Sequence, residues 1–392
     1  MKFSVLLPTR NRLELLRYAV ESVRRQNYAD WEIVVSDNDS TEDVAGYVRG
    51  LRDERIRYVR TARFVPVTEN WNNALEHSSG DYVVMLGDDD ALLPGYFSKL
   101  AALIAKHASP EAIYVEAVQY AYPGVIPGNE KGFVQTGYCE FMKGRREPFL
   151  LPPEEARAAV LKSMRLRLSF SYNMQHSLVS RAAIRRLAPH GPFFQSPYPD
   201  YYASNVLLLT SKRILVVPEP LVAIGISPKS FGFYYFNARA AEGGAFLNNL
   251  GESSVPDYAR RAILPGNELI TCWFVAMACI EHNFGREYGV RAAVERYRLL
   301  QVLYFDRRAG GKAFRELWSR LRPAERARFG ARRAWIFLLS RILPGGLGAG
   351  IADRAMDRQG LFPKFDPKKR EVECRNILEL FEHWNAQPPF LT

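Results

Sequence analysis

Residues 1–105 alternate between two hydrophobic periods, and that alternation leaves few folds open. Residues 2–7, 31–36, 55–59 and 82–86 are short runs rich in Val, Ile, Leu and Tyr. Between them, residues 12–26, 41–51 and 69–78 carry apolar side chains at helical spacing, as with Leu13, Leu16, Ala19, Val20 and Val23. Strands alternating with helices at this interval predict β-α-β units, hence an α/β fold with a mostly parallel sheet and helices on both faces. In such sheets ligands bind beyond the carboxyl ends of the strands. Polar clusters stand at three of those ends: residues 8–12, 37–40 and 88–90. Their convergence is more specific than any one cluster.

The third cluster is the most chemical of the three. Asp88, Asp89 and Asp90 follow a strand-like run and precede Ala91, Leu92, Leu93 and Pro94. Adjacent carboxylates at the end of a buried strand are costly unless positive charge sits on them. A hard divalent cation, held by one or two carboxylates and shared with substrate phosphates, answers that cost. An acidic surface turn is the plainer alternative.

The 392-residue chain is long enough for an enzyme domain and a smaller second unit. The apolar run at its start is too short for a signal peptide and is broken by Pro8. Residues 269–280 are apolar on all sides but too short to span a bilayer, so they predict a buried helix. Cys139, Cys272, Cys279 and Cys374 have no metal-ligand spacing, and their low density points to a reducing cytosol. None of the six histidines forms a close pair that would suggest a metal site. Charge is uneven: residues 281–392 hold 22 Lys/Arg against 13 Asp/Glu, a net +9 of the chain's +11. An anionic partner for the last third is the implication.

Beyond residue 105 the pattern loosens. Residues 123–153 read as a long Gly/Pro-rich insertion, a lid or substrate loop. Residues 154–167 and 200–209 look helical, and residues 177–180 and 214–217 look like strands. The expected organisation is a catalytic domain over 1–235, split into a binding half (1–105) and an acceptor half (106–235). A mainly helical, basic region over 236–392 follows.

At this point the residues carry a resemblance. Val5 to Arg12 (VLLPTRNR), Trp31 to Thr41 (WEIVVSDNDST), and Gly80 to Asp90 (GDYVVMLGDDD) with Pro94 resemble the motifs of a family 2 glycosyltransferase. The likeness is close over 1–105, looser to 235 and weak beyond. It implies the GT-A fold, a nucleotide-diphosphate sugar donor (a UDP-sugar foremost), Mn²⁺ or Mg²⁺, and inversion at the anomeric carbon. It also implies an acceptor that is a growing surface polysaccharide or lipid-linked glycan.

The resemblance assigns roles residue by residue. Pro8, Thr9, Arg10 and Arg12 match the nucleoside-binding segment. Asp37 matches an acidic position, and Asn38 stands where many members have an aspartate that pairs with uracil. Asn70 heads the third helix, where family asparagines face the nucleotide. Asp88 is placed like the carboxylate that reaches ribose or metal, and Asp89 also falls in the donor site. Gly87 replaces the first aspartate of the usual motif, which leaves the register ambiguous; the metal ligands are taken as Asp90 and Asp88. Lys229 is the cation available to close over the pyrophosphate. Asp200, at the start of a helix, matches the base that deprotonates the acceptor, and a helix N-terminus is expected to keep it ionised.

Residues 326–343 hold five arginines and no acid beside Trp335, Phe337 and Leu338. That composition suits an interfacial helix on anionic lipid, and with it a cytoplasmic protein held at the inner face of the cell membrane. A helix packed on the catalytic domain is the alternative. Two other functions fit less well. A nucleotidyltransferase would open on a Gly-rich phosphate loop, and residues 8–12 contain no glycine. A non-catalytic, nucleic-acid-binding protein would need a recognisable module among the basic residues, so no nucleic-acid partner is expected.

Overall fold

The computed structural model describes residues 1–125, 130–230, 233, 255–308, 312–342 and 370–386. The expected alternation is present. Strands β1 (Phe3–Thr9), β2 (Trp31–Asp37), β3 (Ile56–Arg60) and β4 (Tyr82–Met85) are separated by helices α1 (Leu13–Arg24), α2 (Val44–Gly50) and α3 (Val67–Glu76). The four strands run parallel in the order β3-β2-β1-β4. Every residue of β1 and β2 is buried, because helices cover both faces. Successive residues of β1 serve opposite cores. Leu6 packs with Val34 and Val83 on the side of α3, while Val5 and Leu7 pack with α1, α2 and the later helix α4 (Tyr96–Lys106).

The sheet is mixed rather than uniformly parallel. Strand β9 (Ser177–Ser180) inserts antiparallel between β4 and β6 (Ala112–Ala121). The opposite edge of β6 takes β10 (Ile214–Ile226), which runs parallel to it. Residues 123–153 are not one loop. Gly132–Thr136 forms β7 on the edge of β6, and Phe149–Leu150 forms β8 against β10. Strand β10 runs nine residues past its expected end at Val217, through Pro218 and Pro220 and a register shift that absorbs them. That extension delivers Gly225 and Ser227 to the aspartate triplet.

Helices α5 (Pro153–Met164), α6 (Arg181–Leu187) and α7 (Pro199–Thr210) complete this part. The helix Glu268–Tyr288, longer than expected, packs on α5 and α7 and buries Trp273 against Tyr172 and Tyr201. All four cysteines are free. The region after residue 236 is not wholly a helical appendage. Arg370–Val372 forms β11, which caps the edge strand β7, and the helix Ile377–Ala386 packs on α1. The expected boundary at 235/236 lies outside the described residues. The helix Pro323–Ile342 leaves Trp335 61% and Leu338 49% exposed; the Phe337 side chain is outside the described set.

Candidate active site

The ends of β1, β4, β10 and α7 enclose a cavity of about 430 Å³. Its wall includes Pro8 and Thr9 at the end of β1, Arg10 and Arg12 in the loop after it, and Tyr198, Asp200 and Tyr201 at the start of α7. Asp89, Asp90, Asn38, Asn70 and Gln175 line it too.

The loop after β1 is held by the loop after β2. Asn11 adopts a left-handed φ of 53°, which asparagine tolerates. Its N–H donates to Ser40 Oγ at 2.9 Å, and its Oδ1 accepts from Thr41 N at 2.8 Å. This brace turns Arg12 across the strand ends. Its guanidinium lies 2.8 Å from Asp88 Oδ1 and 3.6 Å from Asp89 Oδ2, and it donates to the Lys229 carbonyl at 3.3 Å.

The three aspartates are not equivalent. Asp88 is fully buried; it accepts from Thr9 Oγ1 at 2.6 Å besides pairing with Arg12, and it does not border the cavity. Asp90 accepts from Gly87 N at 2.8 Å, Gln175 Nε2 at 2.6 Å and Gly225 N at 2.8 Å. Asp89 faces the cavity with only Ser227 Oγ at 3.2 Å and the more distant Arg12 against its carboxylate. Hydrogen bonding ranks the candidate ligands: Asp90 and Asp88 already accept from protein donors, and Asp89 borders the cavity with the fewest. Gly87 also acquires a reason, since a Cβ there would stand 2.5 Å from Asp90 Oδ2. A side chain at position 87 would displace the Asp90 carboxylate from the Gly87 N–H.

Burial raises all three carboxyl groups, Asp88 to about 6 and Asp90 to about 7, and the charge of Asp89 adds to both. Burial alone would lower Arg12, but the three aspartates hold it above its ordinary value. One guanidinium thus faces three carboxyl groups whose ionised forms burial disfavours. Among the described residues no group of three or more His, Cys, Asp or Glu side chains is arranged to hold a metal. The donor set fits an ion held by Asp89 and by phosphate oxygens of a ligand, the mode usual for Mg²⁺. It does not fit an all-protein cage.

The remaining sequence candidates divide. Asp37 is fully buried and off the cavity wall; it accepts from Ser40 N at 2.9 Å, Tyr58 Oη at 2.8 Å and Arg60 Nη1 at 3.1 Å. These bonds brace the loop after β2. Asn38 borders the cavity, but its amide is partly taken: Nδ2 donates to Val65 O at 2.8 Å and Oδ1 accepts from Val65 N at 2.9 Å. With Thr61 Oγ1 also donating to Oδ1 at 3.2 Å, the acceptor is occupied, and the second Nδ2 hydrogen is what Asn38 can offer a ligand. Asn70 borders the cavity with its amide on Ser36. Lys229 does not border it and contributes backbone groups, to Arg12 and Ser227.

Asp200 stands in the first turn of α7, where Tyr201 N donates to it at 2.9 Å. The helix N-terminus was expected to keep its pKa low. Burial outweighs that field and raises it to about 7. Sequence reasoning missed Gln175, Asn173, Gln119 and Phe64, which also line the cavity. Arg10 stacks over the Phe64 ring at 3.8 Å. The available signal for Gln175 was a polar run, Ser171 to His176, leading into a strand that proves central. His176 is structural: it stacks on Tyr114, its Nδ1 meets Val115 O, and burial lowers it to about 4.

Residues 4–138 match the family described as Glycosyl transferase family 2. The GalNAc(5)-diNAcBac-PP-undecaprenol beta-1,3-glucosyltransferase of Campylobacter jejuni is 41% identical over 102 residues, 25% of this chain and 33% of that protein. The UDP-Glc:alpha-D-GlcNAc-diphosphoundecaprenol beta-1,3-glucosyltransferase WfgD of Escherichia coli is 26% identical over 104 residues, 26% of this chain and 41% of that protein. The chain thus spans about a third to two fifths of these two relatives. Among solved structures, S. aureus TarS 1-349 aligns at 17% identity with a TM-score of 0.46, covering 78% of this chain and 86% of that one.

Proposed function

We propose that the chain, whose residues 4–138 match glycosyl transferase family 2, transfers a sugar from a nucleotide-diphosphate donor to an acceptor hydroxyl, with inversion. The observation that carries this reading is one cavity bordered by Arg10, Arg12, Asp89 and Asp200 together. A departing nucleoside diphosphate develops negative charge, which Arg12 is positioned to meet. Mn²⁺ or Mg²⁺, held by Asp89 with the donor phosphates, would supply the rest of that stabilisation as a Lewis acid. Asp200, near neutrality, takes the acceptor proton as its oxygen attacks the anomeric carbon from the face opposite the leaving group. Thermal stabilisation and nucleoside diphosphate release with a panel of UDP-, GDP- and dTDP-sugars and Mn²⁺ test the reading. At least one donor should respond, and silence across the panel overturns it.

The acceptor in this proposal is a lipid-linked glycan, supported by the diphosphoundecaprenol compounds named for both relatives. No helix of the described residues is long and apolar enough to cross a membrane. Contact with the inner face of the cell membrane is therefore assigned to the helix Pro323–Ile342, where Trp335 and Leu338 stand exposed near Arg332. Such side chains bury at a lipid interface while arginine meets anionic headgroups. The double variant Trp335→Ala, Leu338→Ala should bind anionic liposomes about tenfold more weakly in flotation. Equal flotation of variant and wild type would remove this helix from the proposal.

A further inference from the structure

Gln175 lies in the turn Met174–His176 ahead of β9 and is only 8% exposed. Its Nε2 donates to Asp90 at 2.6 Å, which fixes the amide's orientation, since the reverse flip would set two acceptors together. The Oε1 atom is consequently left buried on the cavity wall without a hydrogen-bond partner. A buried acceptor left unmet is unfavourable, and a polar ligand in the cavity would relieve it. Asn173 and Gln119 line the same cavity, with Gln119 Oε1 accepting from Gln135. Among the described residues lining the cavity, the cations are Arg10 and Arg12, both in the loop after β1. The other charged lining groups are Asp89, Asp90 and Asp200.

We propose that Gln175 reads the transferred sugar by accepting a hydrogen bond from one of its hydroxyl or N-acetyl N–H groups. The surrounding amides and carboxylates then select a neutral sugar, a hexose or N-acetylhexosamine, over a uronate. A sugar carboxylate would meet an acceptor-only oxygen and the carboxyl groups of Asp89, Asp90 and Asp200, with Arg12 already paired to Asp88 and Arg10 stacked on Phe64. This inference rests on the donor-site reading above.

Calorimetric titration of the full chain with UDP, UDP-glucose, UDP-N-acetylglucosamine and UDP-glucuronate tests it, with the GDP and dTDP counterparts in parallel. Wild type should bind a neutral sugar nucleotide more tightly than the bare diphosphate, and the uronate more weakly than the neutral sugars. Gln175→Met should lose the increment contributed by the sugar, about tenfold, and keep its affinity for the bare diphosphate. Equal loss of diphosphate and sugar nucleotide would make Gln175 a mere prop for Asp90 and overturn the proposal. A uronate preference in wild type overturns it without any variant, so a misfolded Gln175→Met does not protect it. If wild type binds no nucleoside diphosphate at all, the donor reading falls and takes this inference with it.

Discussion

Asp200→Asn is expected to lower kcat by about 10³-fold while leaving the dissociation constant for the donor within about twofold. The asymmetry follows from position. Asp200 belongs to α7, whereas Arg12 and Asp89 come from the loops after β1 and β4, and in the proposed reaction the diphosphate is met by those loops and the acceptor by Asp200. The transfer, in contrast, needs a proton acceptor at the moment the hydroxyl attacks. With its pKa raised to about 7 by burial, Asp200 is protonated below neutrality and ionised above it. Rate should therefore climb with pH through about 7 in wild type, and that limb should vanish in the variant. A folding control comes from the same shift. A carboxyl raised from 3.8 in the unfolded chain costs the folded state stability above that pH, increasingly up to about 7. Asp200→Asn removes this cost, so at pH 8 it should melt no lower than wild type. A variant retaining more than a tenth of wild-type turnover would sink the assignment.

What could be read from the sequence follows the range of the interactions involved. The strands and helices of residues 1–105 rest on local periodicity, and the structure reproduces them to within a few residues. Convergence of Thr9, Arg12 and the aspartates was legible for the same reason, because parallel strands place their ends side by side. Strand β9 was found at its observed limits, yet its place between β4 and β6 depends on pairing across distant sequence. That pairing brings Gln175 to Asp90, so Gln175 stayed invisible. The two prolines of β10 obscured its continuation, which hid the Gly225 and Ser227 contacts that differentiate the triplet. β11 was unreadable because a three-residue edge strand has too short a period to detect. Asn38 shows another limit: residue type told what it could bond, but only the fold shows that Val65 already does so.

Asp89→Asn is expected to be the second severe variant, reducing metal-stimulated turnover by about 10²–10³-fold. Three adjacent aspartates give three candidate ligands, and hydrogen bonding distinguishes them. Asp90 holds together the Gly87 turn, Gln175 and the end of β10, so Asp90→Asn removes the charge on which three donors converge. Its first consequence should be a lower melting temperature. Asp88 anchors Thr9 and Arg12, so Asp88→Asn should loosen the loop after β1 and weaken nucleotide binding with or without metal. Asp89 borders the cavity with the fewest partners, a hydroxyl donor at 3.2 Å and Arg12 at 3.6 Å. Asp89→Asn should leave the fold intact, because the amide oxygen it introduces can still accept from Ser227. Electron paramagnetic resonance of Mn²⁺ with UDP, or whichever diphosphate the panel selects, separates the three. Asp89→Asn should weaken the ternary complex at least tenfold at unchanged melting temperature. If Mn²⁺ affinity instead survives in Asp89→Asn and disappears in a folded Asp90→Asn, the ion sits on Asp90. The hydrogen bonds from Gly87 and Gly225 would then orient a metal ligand rather than fill a structural one.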